Sequence, residues 1–310
     1  MHIAHHTTVT ITMNHTVNNS AFTMASQAEL ADRFSALLQQ ESATWYKCNE
    51  YLSFQDGDSN HSIVTHVDES WREKICEWVY NVVDHFNCNR EIVSIAVNYF
   101  DRYLSNCNSG SVANSKLLQL IAVSALHIAL KIHDSNAVHL PTLLELSCNF
   151  FTAQHVVVME KSMLQLLSWR LSPPTPLTFL HHFMLLMPKE EETNSLEREI
   201  IGESAQFLVE LSVCDYYFIT RKPSSIALAS LLNACEQVLG STSSSNAMII
   251  LLRRVQTIAG VGYCSQVKEC QHRLQEIYDM GEYAEQRSIT PVSVVPPPTS
   301  HDTLEQTYFL

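Results

Sequence analysis

Two stretches of this chain are apolar on every face, and they restrict what it can fold into more than any other feature. Lys116–His133 reads KLLQLIAVSALHIALKIH, and 224–239, opening after Pro223, reads SSIALASLLNACEQVL. A helix without a polar face must be enclosed by other elements, so each stretch predicts the central helix of a bundle. Small residues recur along both (Ala122, Ser124, Ala125 and Ala129; Ala227, Ala229, Ser230 and Ala234), which lets surrounding helices approach closely. Gly and Pro number only 7 and 10 in 310 residues, too few turn-formers for a many-stranded sandwich or barrel. The uncharged run Leu117–Leu130 would be roughly 21 Å long as a helix, short of the roughly 30 Å hydrocarbon core. It is expected to be a buried helix, not a membrane span.

The flanking segments carry the helical period. Ile75, Trp78, Val79, Val82, Val83 and Phe86 stand at i, +3, +4, +7, +8 and +11, and Ile92, Ile95, Ala96, Tyr99, Phe100 and Tyr103 repeat that spacing. A shorter helix is expected from about Pro141, and a fifth from an N-cap at Thr152 to Trp169. After the stiff linker Ser172-Pro-Pro-Thr-Pro176 the pattern recurs: helices at 177–187, 194–213, 224–239, 246–259 and 264–280, with a Gly-Ser-rich loop from Gly240. The chain therefore reads as a tandem duplication of one five-helix unit of about 100 residues. Residues 1–24 are expected to be disordered, 25–70 to hold an amphipathic helix (Leu30, Phe34, Leu37, Leu38) and a polar linker, and 281–310 to be a flexible, Pro-containing tail.

Charge narrows the function classes. The net charge is −13, with no basic stripe, which argues against direct nucleic-acid binding. Residues 71–170 alone are neutral, with 8 basic and 8 acidic side chains, and a binding face is expected there. Nine cysteines without a CxxC pair, and a polar N-terminus, lead us to expect a reduced, intracellular setting. No P-loop, HExxH or GxSxG occurs, and Gly260-Val-Gly262 follows no strand pattern. His2, His5 and His6 read as part of a tail, and His127, His181 and His182 as core or boundary residues. Cys264 and Cys270 fit no zinc spacing. No catalytic, metal or cofactor site is expected, and the chain is not expected to be an enzyme.

The segment WREKICEWVYNVVDHFNCNREIVSIAVNYFDRYLS (71–105) resembles the start of a cyclin box. The likeness continues through KLLQLIAVSALHIALKIHD (116–134), FFTAQHVVVMEKSMLQLLSWRL (150–171) and PTPLTFL (174–180). Within the family the chain resembles D-type or diatom-type cyclins, and no RxxL destruction box stands near its N-terminus. The resemblance implies an all-α chain of tandem five-helix cyclin folds, at 71–171 and 177–280, with an extra N-terminal helix. It implies a non-catalytic subunit that binds and activates a cyclin-dependent Ser/Thr kinase in cell-cycle control, in nucleus and cytoplasm. Two other readings stay open: a transcriptional cyclin paired with an RNA-polymerase kinase, and a TFIIB-type cyclin-fold transcription factor, which the missing basic face disfavours.

The resemblance also assigns residues. Arg72 and Asp101 match the ion pair that ties the first helix to the second. Lys131 and Glu160 match the polar clamp on the backbone before the kinase's C helix, with Ile132, Leu164 and Leu171 as the apolar part of that face. Where the family places an aromatic and two glutamates after its lysine, this chain has Ile132-His133-Asp134. Ile75, Trp78, Val82 and Gln119 match the substrate-docking patch, but Lys74 stands at a position that is apolar in A-type cyclins. Tyr46-Lys-Cys48-Asn-Glu50 is similar to the LxCxE motif for retinoblastoma-like proteins, with Tyr for Leu. Thr290-Pro291 is a minimal proline-directed phosphorylation site.

Overall fold

A computed structural model describes residues 27–52, 69–106, 115–134, 138–147, 150–188 and 195–288, with only the backbone over 241–245 and 281–288. The described elements are helical, and no strand occurs among them. Helix α1 spans 27–42. The first repeat comprises α2 (Glu69–His85), α3 (Glu91–Asn106), α4 (Ser115–His133), α5 (Leu140–Leu146) and α6 (Ala153–Leu166). The second comprises α7 (Pro176–Met184), α8 (Ser195–Cys214), a bent α9 (Pro223–Arg254) and α10 (Ser265–Ser288).

Each repeat has its own core. In the first, α4 is central: every residue from Leu118 to Leu130 except Leu120 is buried. The helix has 19 residues, longer than its uncharged run, and is long and apolar enough to cross a membrane by those measures alone. Its contacts explain the hydropathy instead, because Ile75, Val79, Tyr99, Val156 and Met163 pack in the same core. In the second core the same place is taken by Ile226–Cys235 of α9, against Phe179, Phe183, Ile201, Leu208 and Leu274.

The helix expected to reach Trp169 stops at Leu166 and the one expected to reach 187 stops at Met184, and three larger features depart from the expected organisation. The loop expected at 240–245 is helical: α9 resumes immediately after Gly240, whose φ of 64° and ψ of 175° make the bend. Glycine carries no Cβ to oppose that conformation, so one residue turns the chain where a loop was expected. The second arm then runs to Arg254 and ends in a π turn, Val255–Ala259, closed by left-handed Gly260. At the C-terminal end α10 continues to Ser288, past the boundary expected at 280. The expectations for 1–24, the rest of the tail and Thr290 lie outside the described residues.

The third departure is where α1 sits. It precedes the first repeat in sequence but packs on the second: Phe34 is fully buried and stacks on Phe183 at 5.4 Å, with the His182 ring edge-on at 5.6 Å. At its C-terminal end the Glu41 carboxylate accepts from the Ser224 amide at 2.7 Å and its hydroxyl at 2.9 Å, capping α9. A carboxylate is favoured at a helix N-terminus, although burial pushes the Glu41 carboxyl up despite these bonds.

Candidate functional site

The DRYL segment of α3 organises the first fold by reaching α2, α6 and the core. Asp101 faces α2, where its carboxylate accepts two bonds from Arg72, Nε to Oδ1 at 3.0 Å and Nη2 to Oδ2 at 2.9 Å. Both side chains are only 5% exposed. Burial alone would lower the Arg72 pKa, and the Asp101 charge overrides it and holds the guanidinium ionised. Arg102 turns to the end of α6 and donates to the carbonyls of Arg170 at 2.9 Å and Leu167 at 3.4 Å. Tyr103 meets Ser162 Oγ on α6 at 3.1 Å, and Leu104 enters the core.

That arrangement fixes an unusual turn. Ser168 and Trp169 have φ of 52° and 58°, left-handed values that cost a residue with a Cβ about 1 kcal/mol or more each. Arg102 holds the turn from beneath, and the Leu171 carbonyl beyond it accepts from Tyr99 Oη and from His133 Nε2, the latter at 2.8 Å. The turn leaves Trp169 68% exposed and Leu171 half-buried.

Beside this turn Lys131 and Glu160 meet. Lys131 Nζ donates to Glu160 Oε1 at 2.7 Å, joining the C-terminal turn of α4 to the middle of α6. The lysine is 45% exposed and the glutamate 11%, so the pair points its cation outwards and buries its anion. His127, one turn earlier on α4, brings Nδ1 to the same oxygen at 2.6 Å. Burial pushes the Glu160 carboxyl up, and His127 and Lys131 together outweigh it and hold it below the usual range. Ile132 (47% exposed) and half-buried Leu164 lie on the same two helices, and Val157 is exposed one turn before Lys161 on α6. The result is an apolar strip with an anchored ammonium beside it.

The other assigned residues sit differently. Ile75, Trp78 and Val82 are core residues of α2, and Gln119 of α4 is buried too. Outside them lie half-buried Trp71 and exposed Lys74, whose ammonium stands 5.7 Å from the Trp71 ring centre. In the 46–50 stretch Cys48 is buried, and Tyr46 is half-buried under the Arg102 guanidinium at 5.2 Å. No group of three or more metal-ligating side chains occurs among the described residues.

A second connection escaped the sequence reading. Arg72, Cys76 and Tyr80 stand at i, i+4 and i+8 on α2, one stripe beside its apolar face. Each reaches a main-chain oxygen in the last turns of α8: Arg72 that of Cys214 at 2.9 Å, Cys76 that of Val213 at 3.6 Å, Tyr80 that of Glu210 at 3.2 Å. The terminal carbonyls of a helix need outside donors, and here the other repeat supplies them. Tyr51 adds a third strand of connection, donating from its hydroxyl to Asp101 at 2.8 Å while its amide donates to Tyr216 Oη at 2.8 Å. The pair expected to join two helices thus joins both repeats and the N-terminal segment. The i, i+4, i+8 spacing was the available signal.

Comparison with known proteins agrees with this tandem arrangement. The cyclin N-terminal domain model matches residues 32–172 and the cyclin C-terminal domain model residues 174–292. Human G1/S-specific cyclin-D1 is 26% identical over 224 residues, 72% of each chain. Cyclin-A1-4 of Oryza sativa subsp. japonica is 31% identical over 177 residues, 57% of this chain and 48% of the relative. The crystal structure of a viral cyclin from herpesvirus saimiri superposes with a TM-score of 0.48 at 21% identity, covering 66% of this chain and 87% of the viral one. With two all-helical repeats, their order along the chain and both domain matches in place, the chain belongs to the cyclin family.

Proposed function

We propose that this cyclin is a non-catalytic subunit that binds a cyclin-dependent Ser/Thr kinase through the face formed by α4, α6 and the turn after α6. The observation that carries the reading is the exposed Lys131 ammonium, fixed at 2.7 Å on a Glu160 carboxylate that His127 also holds, beside exposed Ile132. A pre-positioned cation costs little side-chain entropy when it meets a backbone carbonyl, and the apolar strip supplies the rest of the contact. Docking there would favour the kinase conformation whose C helix is packed inwards, and a difference in affinity between two kinase states is all that activation requires. Relatives named G1/S-specific cyclin-D1 favour a cell-cycle role over a transcriptional one, and action in nucleus and cytoplasm is part of the same proposal. Substrate docking at Ile75, Trp78, Val82 and Gln119 belongs to the same reading. It would require those side chains to gain exposure, with Lys74 offering its stem and charge at the rim.

The test is capture of kinase activity from lysate by the full chain, beside the Lys131→Ala/Glu160→Ala double variant. Loss of the associated histone-type kinase activity with retained helicity is the expected result. Equal capture by both would move the face elsewhere, and no activity with either would remove the kinase reading.

A further inference from the structure

Apart from the proposed kinase face, the α2 stripe brings two nucleophiles together. Cys76 is fully buried, and Cys214, the last residue of α8, keeps part of its surface open to solvent. Cys214 follows Val213, whose carbonyl Cys76 Sγ meets, so the two thiol-bearing residues, one from each repeat, lie side by side across the contact of α2 with α8. Both are held in place: Cys76 also lies 3.6 Å from the Val213 carbonyl, and Arg72 grips the Cys214 carbonyl at 2.9 Å. The two thiols are unequal. Interaction with the Cys76 side chain holds the Cys214 thiol below its ordinary value against burial, with help from the Arg72 charge and opposition from Glu73 and Glu77. The same interaction and full burial push Cys76 up. Elsewhere burial pushes Cys235 and Cys270 up to about 12. One thiol open to solvent against one fully buried thiol is the arrangement of an attacking and a resolving cysteine.

We propose that Cys76 and Cys214 form a peroxide-sensitive modification site that closes as a disulfide between the two cyclin folds. The Cys214 thiolate attacks one oxygen of hydrogen peroxide, the O–O bond breaks, and the departing hydroxide takes up the thiol's proton as water. Cys214 is then a sulfenic acid. The Cys76 sulfur attacks the Cys214 sulfur, the S–O bond breaks, and the leaving hydroxide takes the Cys76 proton as a second water. Two thiols lose two electrons in all, and one peroxide becomes two waters.

The experiment uses the full chain, reduced, freed of reductant, treated with equimolar hydrogen peroxide, alkylated and digested with trypsin. The expected product is peptide 75–90 linked to peptide 199–221, with fragment ions placing the bridge at Cys76 rather than Cys88. Its formation should raise the thermal midpoint by on the order of 10 °C, reversibly with reductant, because the bond closes a long loop. Cys76→Ser should leave a Cys214 sulfenic acid that dimedone traps, and Cys214→Ser should give neither product. Oxidation of exposed Cys264 with Cys214 untouched, or a bridge at Cys88, would overturn the proposal. The wild-type peptide map decides alone if either variant fails to fold. No arm involves a kinase, so failure here would leave the kinase reading where it stands.

Discussion

Around α4 the first repeat buries Arg72, Asp101, Arg102, His127 and Glu160, whereas around α9 the buried polar side chains described are Thr175, Ser212, Ser224, Ser225, Ser230 and Asn233, with one carboxylate, Glu41, brought in from α1. Two copies of one helical plan therefore use their interiors differently. Ser212 is satisfied locally, by the Val209 carbonyl at 2.6 Å, while Asn233 and Ser225 reach Gln271 and Gln266 of α10, and all of these are neutral groups whose loss strands no charge. Buried charges must find distant, directed partners or incur several kcal/mol each. In the first repeat those partners lie 29 residues away, Asp101 for Arg72 and Lys131 for Glu160, so each pair fixes two helices relative to one another. The repeat that carries the proposed kinase face is the one whose helix geometry is pinned by charge.

The comparison breaks most readily at Asp101. Asp101→Ala strands the Arg72 guanidinium in the interface between repeats and is expected to cost about 3–5 kcal/mol in urea denaturation. A cost no larger than about 1 kcal/mol, the range of partly exposed pairs such as Arg273–Asp215, would show that buried charge is not what distinguishes the first repeat. In the second repeat apolar burial should dominate instead. Phe34→Ala removes a fully buried ring between α1 and α7 and should cost about 3 kcal/mol by the same measurement.

Smaller effects sharpen the contrast. At Gly240 an added Cβ meets no atom within 4 Å, so Gly240→Ala tests backbone strain alone, and a loss of about 1–2 kcal/mol in thermal unfolding is expected. Glu160→Gln should cost about 1 kcal/mol near neutral pH. The sign of its pH dependence follows from the lowered carboxyl. The folded chain holds Glu160 ionised below its ordinary value of 4.5, so the contribution is complete above that value and fades as pH falls through the lowered one. The difference in stability between wild type and Glu160→Gln should therefore shrink in acid, and a constant difference down the acid limb would deny the linkage.

Much of this molecule could be read without coordinates. The apolar faces of Ile75–Phe86 and Ile92–Tyr103, the enclosed middle helices, and the Thr152 and Pro223 helix starts each follow from spacing or local backbone chemistry, and those helices are present. The Lys131–Glu160 clamp was legible only through family resemblance, since neither residue's spacing names the other. His127 was read as a core histidine, and its shared hold on Glu160 depends on how α4 crosses α6. Gly240 was read as opening a loop because composition registers a turn-former, not how short a bend it makes.

By itself the sequence determined which faces are apolar and where most helices begin and end, because side-chain period and capping are local properties of the chain. Only the tertiary structure decided which element covers which face. It placed α1 on the second core, turned the Arg72, Cys76 and Tyr80 stripe onto the end of α8, and put Ile75, Trp78 and Val82 inside. An apolar face is satisfied by any complementary surface, so its pattern leaves the partner open. A buried donor, by contrast, is satisfied only by the acceptor that the packed helices bring within about 3 Å, and that acceptor exists only once the fold has formed.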